Sequence, residues 1–104
     1  MTASIADYQN ATPKSSLNIS VTTVVKAAPG GVFGLAILSG TAPGGSINDC
    51  AGTGAVAASN QVASIPSGAN VLGAPTQTFE PPLFCLTGIT VTPPAGGAVS
   101  VFFA

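Results

Sequence analysis

The chain has 104 residues, 46% hydrophobic and only 5% charged, with two lysines, three acids, no histidine and a net charge of −1. That is the length of a single domain, with about a fifth of the usual charged fraction of about 25%. Two isolated lysines, Lys14 and Lys26, cannot neutralise a phosphate backbone, which excludes nucleic acid as a partner. Without histidine there is no His-based triad or His-liganded metal site, and no apolar run approaches the roughly 20 residues of a membrane-spanning helix.

Residues 1–16 are polar and irregular. They hold Asp7, Lys14, Pro13 and the single tyrosine, Tyr8. This stretch reads as an N-terminal arm rather than core, of the kind that orders on a partner, with Ile5 and Tyr8 as its anchors on a neighbour. Met1-Thr-Ala-Ser lacks the basic and long apolar regions of a secretory signal, so export is expected only by another route.

The remainder, 17–104, has the pattern of a β-domain. Leu17-Asn-Ile-Ser-Val alternates, with Leu17, Ile19 and Val21 on one face, and Thr22-Thr-Val-Val25 continues with β-branched residues. Ala28-Pro-Gly-Gly31 marks a turn. Val32–Leu38 is an apolar run of strand length, suited to burial on both faces. Ser39–Gly45 is the next turn and Ser46–Cys50 a short strand. Ala51–Asn60, rich in small residues, reads as a loop, with a short helix around Val56–Ser59 as the alternative. Gln61–Ile65 alternates again and Pro66–Asn70 turns. Val71–Phe79, interrupted by Gly73 and Pro75, holds at best two short strands, and Pro81-Pro82 breaks the chain once more. Leu83–Val91 is strongly β with Gly88 as a bulge or bend. After the Pro93–Gly97 turn, Ala98–Phe103 is a closing strand. Seven or eight short strands with a turn signal every 8–12 residues predict an all-β, antiparallel sandwich or barrel. No segment has a helical period, and alternating βα units are absent.

The shortage of charge has a consequence. Between Lys26 and Glu80 the sole charged residue is Asp49. Exposed edge strands are normally defended by Lys, Pro or inward-pointing charge, and a protein of low net charge is prone to associate. Coverage of the surface by neighbours resolves this, and makes the chain a subunit of an assembly. The alternative is a surface kept soluble by its many Ser, Thr, Asn and Gln side chains.

The inventory leaves little for catalysis. Asp7, Asp49 and Glu80 are the only carboxylates, and nothing in their spacing points to a glycosidase pair. The Pro-Gly-Gly stretches at Pro29 and Pro43 are not followed by the Lys-Ser/Thr of a phosphate loop. Cys50 has no histidine base to make it a nucleophile. Cys50 and Cys85 are a candidate disulfide. Such a bridge would close a loop of about 35 residues, worth roughly 3–4 kcal/mol. Two buried free thiols are the other reading. The sequons at Asn10-Ala-Thr12 and Asn18-Ile-Ser20 are patterns that recur by chance.

From Ser20 onward the order of elements resembles a group of small tailed-phage virion proteins. The matching stretches are Val21-Thr-Thr-Val-Val-Lys-Ala-Ala-Pro-Gly-Gly-Val32 and the hydrophobic strand after it. Further matches are Gln61-Val-Ala-Ser-Ile-Pro66, Cys85-Leu-Thr-Gly-Ile-Thr-Val91 and the closing Val-Ser-Val-Phe-Phe103. The resemblance implies a jelly-roll-like sandwich and a structural, non-enzymatic role without a cofactor. The implied protein is a capsid decoration (cement) subunit on the outer surface of the major capsid protein. It would be made in the host cytoplasm and assembled as a homotrimer or a dimer. A small head or tail accessory protein, or a receptor- or glycan-binding virion module, is the alternative. The absence of Trp and the placement of most Phe in strand-like runs count against a glycan platform.

Overall fold

The computed structural model describes residues 14–39, 44–65 and 76–104. Eight strands lie among the described residues: β1 (Lys14–Ile19), β2 (Thr23–Lys26), β3 (Gly30–Ser39), β4 (Gly45–Asn48), β5 (Gln61–Ile65), β6 (Thr76–Cys85), β7 (Ile89–Thr92) and β8 (Ala98–Phe103). They form two antiparallel four-stranded sheets. Sheet A has the order β1-β8-β3-β6 and sheet B the order β2-β7-β4-β5.

That order follows from a single ribbon. β1 pairs with β8, β2 with β7, β3 with β6 and β4 with β5, as in a long hairpin doubled back on itself. Rolling the ribbon up brings β3 against β8 and β4 against β7, which completes the two sheets. This double Greek key is a jelly roll, an eight-stranded way of burying one face of each sheet in a common core. Ile19, Val32, Leu35, Ile37, Ile47, Ile65, Cys85, Ile89, Val91, Val99 and Val101 form that core. The apolar run expected to be covered on both faces lies in β3, a central strand between β8 and β6, but only one face is fully covered. Val32, Leu35 and Ile37 are in the core, whereas Phe33 and Ala36 are half-buried and Leu38 is 55% exposed.

Three local readings differ from the expectation. Lys14–Ser16, assigned to the arm, are the first residues of β1 and pair with Val101–Phe103. Leu17, Ile19 and Val21 do not share a face. Asn18 sits at φ 55°, and the register slips between Ser16 and Ile19. Ile19 is therefore buried, while Leu17 and Val21 remain 68% and 69% exposed. A short Asx side chain tolerates this left-handed conformation where a β-branched one does not. Finally, Leu83–Val91 is two strands in different sheets. The chain turns over Leu86–Gly88, at the Gly88 expected to be a bulge or bend, and Gly88 lies so close to the Cys50 and Lys26 carbonyl oxygens that an added Cβ would stand 2.7 and 2.8 Å from them.

Pro81-Pro82 does not end its strand. Val32 pairs with Leu83 and Gly34 with Thr78, so Phe79–Pro82 bulge out opposite the single residue Phe33, with the Glu80–Pro81 peptide cis. Such a bulge is tolerated because β6 is an edge, where Pro does not interrupt a ladder. Residues 40–43 and 66–75, including the turns expected there and most of the broken 71–79 segment, lie outside the described residues, as do Ile5, Asp7 and Tyr8.

Candidate functional site

The loop joining β4 to β5 is built around Asn48, a side chain 1% exposed. Its Nδ2 donates to the Ala57 carbonyl at 2.9 Å and to Asn60 Oδ1 at 2.8 Å, and its Oδ1 accepts from Ser46 Oγ at 2.6 Å. Asn60 in turn donates to the Ala55 carbonyl and accepts from the Ala57 amide, and the Asp49 amide donates to the Asn60 carbonyl. Two short 3₁₀ turns, Thr53–Ala55 and Ala58–Asn60, are held this way in the stretch expected to be a loop. The loop lies back over β7, where Thr90, fully buried, donates its hydroxyl to the Cys50 carbonyl at 2.8 Å.

Asp49 ties the same loop to the β6–β7 turn. Its carboxylate accepts from the amides of Leu86 (2.9 Å), Thr87 (2.8 Å) and Gly88 (3.3 Å). Burial alone would push this carboxyl up, but the three amides together outweigh it and hold it below the ordinary value. The bonding of Asp49 is long in range, spanning 37 to 39 residues of chain. This geometry keeps the carboxylate ionised and committed to backbone, whereas a general acid needs a raised pKa.

Cys50 and Cys85 are both free and buried. Cys50 Sγ points to the Gly52 carbonyl at 3.5 Å. The Cys85 thiol is pushed up to about 12, first by burial, then by the negative charge of Asp49 and by Cys50. A thiol so placed holds a vanishing thiolate fraction at neutral pH and is a poor nucleophile. Among the described residues no group of three or more Cys, Asp or Glu side chains converges on a metal position.

Two surface clefts stand out among the described residues. One, of about 410 Å³, is lined by Phe33, Thr78, Phe79, Glu80 and Pro82, and is a product of the β6 bulge. It combines two aromatic rings with one carboxylate. The other, of about 460 Å³, lies where β4, β5 and β7 meet, among Ser46, Gln61, Ser64 and Thr92, and has no charged side chain. The Phe33–Glu80 cleft was not foreseen. The only signal for it was Phe-Glu-Pro-Pro within a β-segment, which reads as a break unless the strand is known to be an edge.

The distribution of charge is informative. Of the four charged residues described, Lys14 lies on β1, Lys26 on β2 and Glu80 on β6, all edge strands, while Asp49 is in the loop. β5, the fourth edge, has none. The remaining outer surface is small, polar or apolar, and exposes Leu17, Val21, Leu38 and Leu86. No protein-family model matches this chain, and no curated protein or solved structure shows significant similarity to it.

Proposed function

We propose that this chain is a structural subunit of a virion, a decoration protein that binds the outer surface of a tailed phage's major capsid protein and stabilises the head. The observation that carries this reading is the sandwich's nearly uncharged exterior. Four large apolar side chains are between 55% and 79% exposed, with only one charged residue on each of three sheet edges. Such a surface is suited to coverage by neighbours rather than to free solution. Burial of apolar area at about 25 cal/mol per Å², repeated over many copies, would stabilise the shell. The jelly-roll order adds support by analogy, since capsid domains are among its common users.

The test is direct. Purified chain is mixed with undecorated phage heads, and bound copies are counted after sedimentation while head disruption is followed on heating. Saturable binding at a fixed, symmetric ratio, with a raised disruption temperature, is expected. No binding, or binding without saturation, refutes the role.

A further inference from the structure

We propose that copies of this chain associate head to tail along sheet A, with Lys14 of one copy entering the Phe33–Phe79 cleft of the next and meeting Glu80. Among the described residues, sheet A ends on β1 at one side and β6 at the other. All its pairings are antiparallel, so β1 and β6 run in opposite directions. Setting one copy's β6 beside another's β1 therefore gives an antiparallel neighbour without turning either molecule over.

The charges on these edges lie at one level. Lys14 pairs with Phe103, Phe103 with Val32, and Val32 with Leu83. One step along, Ser15 pairs with Phe102, Phe102 with Gly34, and Gly34 with Thr78. Glu80 belongs to the bulge between Thr78 and Leu83, so it stands at the level bounded by Lys14 and Ser15 on the far edge. An unstaggered side-by-side contact brings the opposite charges together. Among the described residues neither makes an ion pair.

The chemistry of the cleft suits lysine. Pro81 and Pro82 lack amide hydrogens and the bulge departs from the ladder, so contact at this level must be made by side chains. A lysine stem packs on apolar surface while its ammonium reaches a carboxylate and the faces of aromatic rings. Phe33, Phe79 and Pro82 supply that surface and Glu80 the carboxylate. Lys26 is a poorer candidate, because its Cδ lies over Gly30, 2.9 Å from where a Cβ there would be. Sheet B has no such complement, since β5 carries no charge to oppose Lys26 on β2.

The contact joins two different patches. It is heterologous, and closes into a ring where the rotation permits and into a filament where it does not. It does not depend on the capsid reading, because it is measured on the purified full chain alone. Self-association with no head binding would remove only the capsid role.

Sedimentation velocity over a concentration series, at low salt and in 0.5 M salt, tests it. The natural chain should associate at low salt, and less in high salt. K14E and E80K should each weaken association by about tenfold or more, since like charges then face each other. The K14E/E80K double variant should recover to within about threefold of the natural chain, and an equimolar mixture of the two single variants should associate where neither does alone. Circular dichroism confirms that each variant is folded. A natural chain that stays monomeric, single reversals without effect, or a double variant no better than the singles overturns the proposal. Association that survives the reversals uses another surface, such as the β5 edge, and also overturns it.

Discussion

Replacing Asn48 tests whether the β4–β5 loop is held by one amide. In Asn48→Ala three hydrogen bonds disappear: two donated by Nδ2 at 2.9 and 2.8 Å, and one accepted from Ser46 at 2.6 Å. At about 1 kcal/mol net each, these amount to about 3 kcal/mol. Ala57 is exposed and Asn60 half-buried, so water recovers part of their bonding. The emptied space beneath the loop offsets that gain. The expected loss is about 2–3 kcal/mol by urea unfolding, or roughly 10–20 °C in Tm for a domain of this size. Asn48→Asp preserves the shape but sets an oxygen against two acceptor oxygens in a nearly inaccessible position, and should cost about 1 kcal/mol more than the alanine variant at pH 7. The excess should shrink on acidification, because a carboxyl whose folded-state pKa is raised loses less stability once protonated. Both variants should be cut faster by thermolysin within 49–60. A loss under about 0.5 kcal/mol for Asn48→Ala, or an Asp variant as stable as the Ala variant at pH 7, would refute the assignment.

Four further outcomes are expected. Asp49→Asn should destabilise by about 1–2 kcal/mol at pH 7, a charge-assisted magnitude reduced for partial exposure. Because Asp49's folded-state pKa lies below its unfolded value of about 3.8, its contribution is complete above that value. It is lost as pH falls through the depressed one, so natural and variant stabilities should converge in acid. Gly45→Ala should cost about 3 kcal/mol or more in chemical unfolding, since the new Cβ would lie 1.8 Å from the Thr92 carbonyl oxygen, and backbone cannot yield as a flexible side chain does. Gly52→Ala, with nothing within 4 Å, should stay within about 0.5 kcal/mol. Native protein at pH 8 should resist a thiol-disulfide reagent at Cys85, where the thiolate fraction is about 10⁻⁴, and react fully in denaturant. Rapid native labelling at Cys85 would contradict its burial.

The sandwich was legible because its signals are local. Alternation in Gln61–Ile65, the apolar run of Val32–Leu38 and the Pro-Gly punctuation each fix a strand or a turn without reference to the rest of the chain. What was not legible depends on strand neighbours. Leu17 and Ile19 have the spacing of one face, and only the slip opposite Val99–Val101, with Asn18 in the left-handed region, separates them. Phe-Glu-Pro-Pro reads as a terminator because proline ends a central strand, and nothing local says that β6 is an edge. The Asn48 network and the grip of Asp49 on Leu86–Gly88 were out of reach for the same reason, as bonds between segments 9 to 39 residues apart. The Lys14–Glu80 level is a property of the whole sheet, assembled from three pairings.

Sheet A has an unusual order of assembly. β8, made last of the described strands, is not a peripheral addition, since among the described residues it lies between β1 and β3 and joins them. On the ribosome, β1 therefore lacks its partner among the described strands until residues 98–103 have emerged, more than eighty residues after it was made. Until then β3 keeps one bare flank. A nascent chain with so few ionisable groups must hold these strands apart from one another and from those of adjacent polysomal chains throughout elongation. Late closure by distant pairing is intrinsically slow, so productive yield in the cell should be governed by how quickly residues 98–103 reach β1 and β3 and by chaperone occupancy in the interval.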